Sequence, residues 1–219
     1  HRQLFGFVRG DGITSKTRFH ADRTYLTALD RLQAIFERRA FVLGDSPTIA
    51  DFGLMGPMLR HFGQDPTPAE IMRNRAPAVY EWVARMWNAK PKAGEPQLIE
   101  AIDDLLVDLL GEVSETHLAQ LRQNAEAFGG GLKRYDQDIQ DCHYVRVPTS
   151  RYRVWCLEEL RRHWQALDES TQATLRSQLK GDGADVLWES APAAESGYDT
   201  ERRAPFNRAI NVFGKGVPS

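Results

Sequence analysis

Residues 41–52 read Phe-Val-Leu-Gly-Asp-Ser-Pro-Thr-Ile-Ala-Asp-Phe. Gly44 ends the helical pattern that precedes it, and Thr48 has the side chain of a helix N-cap. Asp51 follows three residues later, where its carboxylate can reach back to the backbone N–H of the cap. A carboxylate in the first turn also suits the positive end of the helix dipole. The stretch therefore predicts a helix that begins at Thr48 and runs to about residue 62.

The residues within this helix predict how it packs. Four apolar residues recur at helical spacing and are expected to face inward: Phe52, Met55, Leu59 and Phe62. Gly53, Gly56 and Pro57 each lower the stability of a helix interior. We therefore expect another helix to approach closely at the two glycines, and a kink near the proline.

Helical spacing recurs on both sides of this stretch. Before it, four apolar residues lie at i, i+4, i+7 and i+11: Tyr25, Leu29, Leu32 and Phe36. After it, Pro77 stands at a first helical position, and Gly111 is expected to end a later helix. The predicted helices cover residues 19–40, 48–62, 69–74, 77–89, 97–110, 115–128, 151–166 and 170–180.

The predicted fold is all-α, arranged in three parts. A compact bundle is expected over residues 1–90, a helical extension over residues 96–190, and a tail over residues 191–219. The tail is rich in Pro, Gly, Ser and Ala, so we expect it to lie on a surface or on a partner. Residues 141–147 alternate weakly and predict a short strand or an extended segment.

Composition excludes several classes of protein. The 219 residues include 28 Lys and Arg against 30 Asp and Glu, which gives a formal net charge of −2. General nucleic-acid binding needs a concentrated positive field, so it is not expected. The most apolar predicted helix contains four acidic residues and cannot span a bilayer. Two cysteines are too few for a disulfide framework and fit a reducing compartment such as the cytoplasm.

Residues 41–52 and two later segments together resemble the C-terminal helical domain of glutathione transferases. The later segments are residues 65–68, DPTP, and residues 76–86, APAVYEWVARM. Residues 152–160, YRVWCLEEL, are similar to the C-terminal extension of long bacterial transferase-like proteins. The resemblance is good over about residues 13–90 and weaker over residues 96–190.

The resemblance implies a glutathione transferase-like enzyme that uses glutathione as co-substrate and an apolar electrophile as acceptor. In this family a thioredoxin-like N-terminal domain binds glutathione and activates its thiol, and nothing in this chain resembles that domain. Because the chain begins at His1 rather than at Met, we expect that such a domain was removed and that the chain alone is inactive. The resemblance also suggests a homodimer. The alternative is a non-catalytic helical interaction module, since transferase-like helical domains also serve as docking platforms.

Three residues are candidates for the acceptor-substrate site: Phe5, Arg9 and Tyr25. In the plan of this family, the first helix of the helical domain faces the glutathione-binding domain across a cleft. Phe5 and Tyr25 are therefore candidates for an apolar wall, although core packing is the simpler interpretation of each. Arg9 can pair with an anionic substrate or with a carboxylate of glutathione, or it is a solvated charge.

No metal site is predicted. Structural zinc ligands come as tightly spaced Cys or His pairs. Here the candidate ligands would be Cys142, His143, Cys156 and His163, and the two cysteines lie far apart along the chain on different predicted elements. Cys156 lies between two apolar residues, with no neighbouring base arranged to lower its thiol pKa, so a nucleophilic role is not predicted either.

Overall fold

The computed structural model describes residues 8–90, 94–179, 183–189 and 195–201. The first four helices are α1 Arg18–Phe36, α2 Ile49–Pro57, α3 Pro66–Arg75 and α4 Pro77–Trp87. The others are α5 Asp104–Val113, α6 Ala119–Gly129, α7 Arg151–Gln165 and α8 Glu169–Gln178, with a hairpin of β1 Arg134–Ile139 and β2 Cys142–Pro148 between α6 and α7. Single π-helical turns follow α2 and α5, at Met58–Phe62 and Ser114–Leu118, and a 3₁₀ turn covers Ala184–Leu187.

Helices α1 to α4 enclose one apolar core. Leu29, Leu32 and Phe36 of α1 are buried in it, which confirms the predicted inward face of this helix. The ring of Phe36 stacks on Trp82 of α4 with the ring centroids 4.8 Å apart. Helix α4 begins at Pro77, as the sequence predicts, because a first helical position needs no N–H donor.

The predicted cap of α2 is present and has more partners than a cap alone requires. The carboxylate of Asp51 is completely buried, at 0% exposure. Its Oδ2 accepts hydrogen bonds from the backbone N–H and the hydroxyl of Thr48, both at 2.9 Å. Its Oδ1 accepts from the N–H of Val42 at 2.9 Å and from Nε1 of Trp82 at 3.0 Å. Asp51 therefore joins the chain before α2, the first turn of α2, and α4.

Met55, Leu59 and Phe62 pack against the core as predicted, but the prediction for the packing of α2 is wrong at Phe52 and at the two glycines. Phe52 does not face inward but is 64% exposed, because it follows the buried Asp51 and points about 100° away around the helix. A Cβ atom added at Gly53 or at Gly56 would meet nothing within 4 Å among the described residues. The two glycines therefore do not receive a neighbouring helix there. The irregularity expected near Pro57 takes the form of the π-helical turn over Met58–Phe62.

The helix predicted over residues 97–110 begins later and does not end at Gly111. The residues before it pair as extended backbone with the turn after α1, where Asp45 N donates to Gln97 O and Ile99 N donates to Leu43 O. Helix α5 begins only where Asp103 caps it by accepting from the Leu106 N–H. Past Gly111 the helix continues through the π-helical turn into α6, since burial of apolar residues there outweighs the cost of about 1 kcal/mol for a helical glycine.

The all-α expectation fails at the hairpin: β2 agrees with the short strand predicted over residues 141–147, but β1 was not predicted. Strands β1 and β2 pair antiparallel, with Tyr135 opposite Val147 and Ile139 opposite Cys142. Alternate residues of β1 are buried: Tyr135, Gln137 and Ile139. Buried residues alternate with exposed ones along β1. Because the buried Gln137 is polar, the sequence lacks the alternation of apolar and polar residues that predicts a strand.

The extension contacts both the bundle and the tail. Leu106 of α5 lies in the same apolar core as α1 and α4. Residues 195–201 of the tail lie on α7, where Glu158 accepts hydrogen bonds from the N–H and hydroxyl of Ser196. The division of the chain at residues 90–96 and 190 stays a prediction, and residues 202–219 lie outside the described part.

Candidate functional site along helix α1

One face of α1 carries Tyr25, which the sequence places in the acceptor site. Its ring stacks on Phe62 with the centroids 4.3 Å apart, and its hydroxyl donates to the carbonyl of Pro68 at 2.9 Å. Burial raises the pKa of this phenol, so the hydroxyl stays protonated and keeps donating. Tyr25 thus joins α1 to the segment between α2 and α4.

The other two predicted site residues lie at the start of the chain. Arg9 is exposed in the turn before α1, where its carbonyl accepts from the N–H of Gly12 at 3.1 Å. Phe5 lies outside the described residues, as does Phe7. A shared wall of Phe5, Arg9 and Tyr25 therefore stays a prediction.

A different face of α1 carries His20, which sequence reasoning missed. The imidazole is 2% exposed and bonds to the hairpin through both nitrogens. Its Nδ1 lies 2.6 Å from the hydroxyl of Tyr144, and its Nε2 lies 3.0 Å from Oε1 of Gln140. The rings of His20 and Tyr144 meet edge to face, with centroids 5.7 Å apart.

The hydrogen bonds around His20 have a defined direction. The side-chain nitrogen of Gln140 donates to a carboxylate oxygen of Glu115 at 3.1 Å, so its side-chain oxygen faces His20 and accepts. Nε2 of a neutral His20 must then carry the proton, and Nδ1 accepts from the hydroxyl of Tyr144. Burial raises the pKa of Tyr144 to about 12, so this phenol retains its proton at neutral pH.

The hairpin turn is held against α1 at a second point. Arg23, one helical turn after His20, donates through both terminal nitrogens to the carboxylate of Asp141, one of these bonds at 3.2 Å. Gln140, the preceding residue, has a φ of 52°, a left-handed conformation that a turn requires. These contacts fix the hairpin to the same stretch of α1 that carries His20.

A cleft of about 420 Å³ opens beside His20. Its walls come from the segment before α1, from α1, the π-helical turn after α5, the hairpin and α7, and they include Ile13, His117, Gln137, Ile139, Tyr144 and Arg153. No short motif brings these residues together, so the cleft could not be predicted from the sequence. The lining combines the cation Arg153 and the carboxylate of Asp11 with neutral hydrogen-bonding groups and apolar side chains.

Neither cysteine is activated. Cys142 is buried on β2 and Cys156 is partly buried on α7. Burial raises the pKa of both thiols, which disfavours the nucleophilic thiolate. Within the described ranges, no group of three or more His, Cys, Asp or Glu residues is placed to hold a metal ion.

A family model described as glutathione S-transferase, C-terminal domain, matches residues 17–85. Residues 17–85 are therefore similar to a glutathione S-transferase C-terminal domain, and we call them the transferase domain. The transferase domain comprises α1 to α4 with the capped turn at Thr48 and Asp51, and it contains Tyr25. The hairpin and helices α5 to α8 lie beyond the matched residues.

The remaining comparisons add no relative to the transferase domain. Neither a search of curated proteins nor a search of solved structures gave a significant match.

No helix in the described ranges has both the length and the apolar composition that crossing a membrane requires.

Proposed function

We propose that this chain is the helical, acceptor-binding part of a cytoplasmic glutathione transferase-like protein. The observation that carries the proposal is the family match over residues 17–85. In the reaction proposed for the intact protein, the glutathione thiolate attacks an electrophilic carbon of an apolar acceptor, or glutathione reduces the substrate. The transferase domain and the segment before it shape the acceptor site, and the proposed substrate-binding residues are Phe5, Arg9 and Tyr25.

The proposed reaction needs a thiol with a lowered pKa, and the tyrosine hydroxyls described above already have hydrogen-bond partners. Thiol activation uses a hydroxyl or cation that stabilises the thiolate, commonly at a helix N-terminus. Here the hydroxyl of Tyr25 donates to Pro68, and that of Tyr144 donates to His20. We therefore propose that the thiol-activating group belongs to another domain, and that the intact protein is a homodimer.

The first test is an activity assay of the chain with glutathione and 1-chloro-2,4-dinitrobenzene. We expect the rate of conjugation to equal the uncatalysed rate, because the proposal assigns the thiol-activating group to another domain. The absorbance of the conjugate measures this rate. Turnover on the order of 1 per second would be enzyme-like and would contradict the assignment of thiol activation to another domain.

The acceptor site itself is tested by binding of an unreactive analogue, 2,4-dinitrotoluene, followed through backbone amide shifts. We expect the shifts to cluster at Arg9 and Tyr25, and the Tyr25→Leu variant to lose most of the binding. Tyr80→Leu is the matched control, because Tyr80 is an exposed tyrosine on α4. Shifts confined to other helices, or equal losses in the two variants, would contradict the proposed site.

A second candidate function, the non-catalytic interaction module, is favoured by the outer face of α2. Ile49 and Phe52 are both exposed there, and Phe52 borders a groove of about 610 Å³ with Phe41 and Pro47. Exposed apolar patches of this kind often mark interaction surfaces. If sedimentation shows a dimer that Phe52→Ser dissociates, while 2,4-dinitrotoluene does not bind, the interaction module is the better assignment.

A further inference from the structure

The cleft beside His20 lies apart from the proposed acceptor site. His20 and Tyr25 are five residues apart on α1, which places their side chains about 140° apart around the helix axis. The hairpin, the π-helical turn and α7, which form most of the cleft, lie beyond the residues that match the transferase domain. We propose that this cleft is a separate ligand site, and that it takes a small monocarboxylic acid with a compact apolar body.

The group that would hold the carboxylate is Arg153. Two other arginines of α7, Arg151 and Arg161, donate Nε hydrogen bonds of 2.6 and 2.7 Å to backbone carbonyls. The guanidinium of Arg153 has only a distant ionic partner in the described part of the chain, Asp11 at 3.9 Å. Its side chain is 26% exposed and lines the cleft. The planar guanidinium can therefore form two parallel hydrogen bonds with a carboxylate bound there.

The positive charge of Arg153 extends into the cleft. Burial and this charge together lower the pKa of His117, so the imidazole is neutral at neutral pH. Its ring has no hydrogen-bond partner among the residues that the structure describes, so its N–H can donate to a ligand. Asp11 also lines the cleft, but it is 59% exposed and lies 3.9 Å from Arg153. The lining therefore offers at most one uncompensated positive charge, which favours a monocarboxylate over a doubly charged phosphate.

The remaining walls suit the rest of such a ligand. Gln137 is 3% exposed, and its side-chain oxygen accepts from the hydroxyl of Tyr135 at 3.0 Å. Its amide nitrogen has no partner in the described ranges and adds a neutral donor. Ile13 and Ile139 supply apolar surface for the body of the molecule. A volume of about 420 Å³ lies at the small end of the usual range for ligand sites.

The test uses benzoate as the probe, with benzamide as a neutral molecule of the same shape. Titrations are followed by calorimetry on the whole chain, without glutathione. We expect benzoate to bind with a dissociation constant in the millimolar range or lower, and benzamide to bind at least about tenfold more weakly, because it lacks the charge. Arg153→Gln should weaken benzoate binding at least about tenfold. Arg162→Gln, on the same helix but outside the cleft, should leave it unchanged.

Several outcomes would overturn the proposal. They are the absence of benzoate binding up to about 10 mM, equal binding of benzamide, or equal binding by the Arg153→Gln variant. Because Arg153 makes no close polar contact in the described structure, its replacement should not change the thermal midpoint, which is checked by circular dichroism. Conjugation plays no part in these titrations, so their result is independent of the proposed transferase role.

A second readout is the pKa of His117, followed through its ring proton shifts. A bound carboxylate offsets the charge of Arg153, so we expect benzoate to raise this pKa. Arg153→Gln without ligand should raise it as well, because one of the two causes of its lowering is removed. The other ionisable side chains that line the cleft are Asp11, His20 and Tyr144. A His117 pKa that does not respond to benzoate would show that the anion binds elsewhere.

Discussion

Replacing Asp51 by alanine should lower the free energy of unfolding by about 3–5 kcal/mol. The carboxylate is fully buried and accepts from four donors, on Val42, Thr48 and Trp82. Alanine leaves the donors of Val42 and Trp82 buried without a partner, and each costs about 1–3 kcal/mol when it is unsatisfied. The Thr48 donors are only partly buried and cost less, because water can reach them. Urea denaturation of the variant and the parent chain measures the difference.

Two variants separate the cap of α2 from the buried contacts of Asp51. Thr48→Ala affects only the cap and should cost about 1 kcal/mol. Trp82→Phe removes one donor while keeping most of the ring in the core. In a double-mutant cycle, the losses from Thr48→Ala and Asp51→Ala should be less than additive, because the residues bond to each other. A loss of only about 1 kcal/mol for Asp51→Ala would mean that it serves as a cap alone.

Gly44→Ala should destabilise the chain by about 2–4 kcal/mol. Gly44 has a φ of 151°, and a Cβ atom there would lie 2.1 Å from the carbonyl oxygen of Gln97 and 2.9 Å from Cα of Leu98. Both are backbone atoms, so no side chain can turn aside to relieve the clash. The substitution must separate the turn after α1 from residues 97–99. Thermal unfolding monitored by circular dichroism measures the loss.

Gly53→Ala is the matched control for this prediction. Gly53 lies within α2, and nothing in the described structure would come within 4 Å of its Cβ. Alanine is the better helix former by about 1 kcal/mol, so this variant should be more stable than the parent. Equal losses from the two substitutions would contradict the close backbone contact at Gly44.

Local signals in the sequence were enough to predict one feature each of helices α1, α2 and α4. The cap at Thr48, the apolar spacing of α1 and the proline that begins α4 each act within a few residues, and the structure confirms all three. The prediction failed where a longer-range contact decides the local structure. Residues 97–99 have helical apolar spacing, but they extend because the turn after α1 offers them hydrogen bonds.

The cleft was beyond sequence reasoning for the same physical reason. His20 and Tyr144 are 124 residues apart in the chain, and Arg153 comes from yet another element. Periodicity identifies which side of a helix is buried, but it does not identify the partner that buries it. His20 would have been taken for a polar surface residue, because its neighbours Arg18, Asp22 and Arg23 are charged.

The attachment of the hairpin turn to α1 also has a consequence for the order of folding. A hairpin of this length forms within about 1–10 μs from local contacts alone. Its attachment to Arg23 must wait, because that bond joins residues 118 positions apart and closes a long loop of chain. We expect the four-helix bundle and the hairpin to form separately and to meet late, so the cleft between them is a product of the last stage of folding.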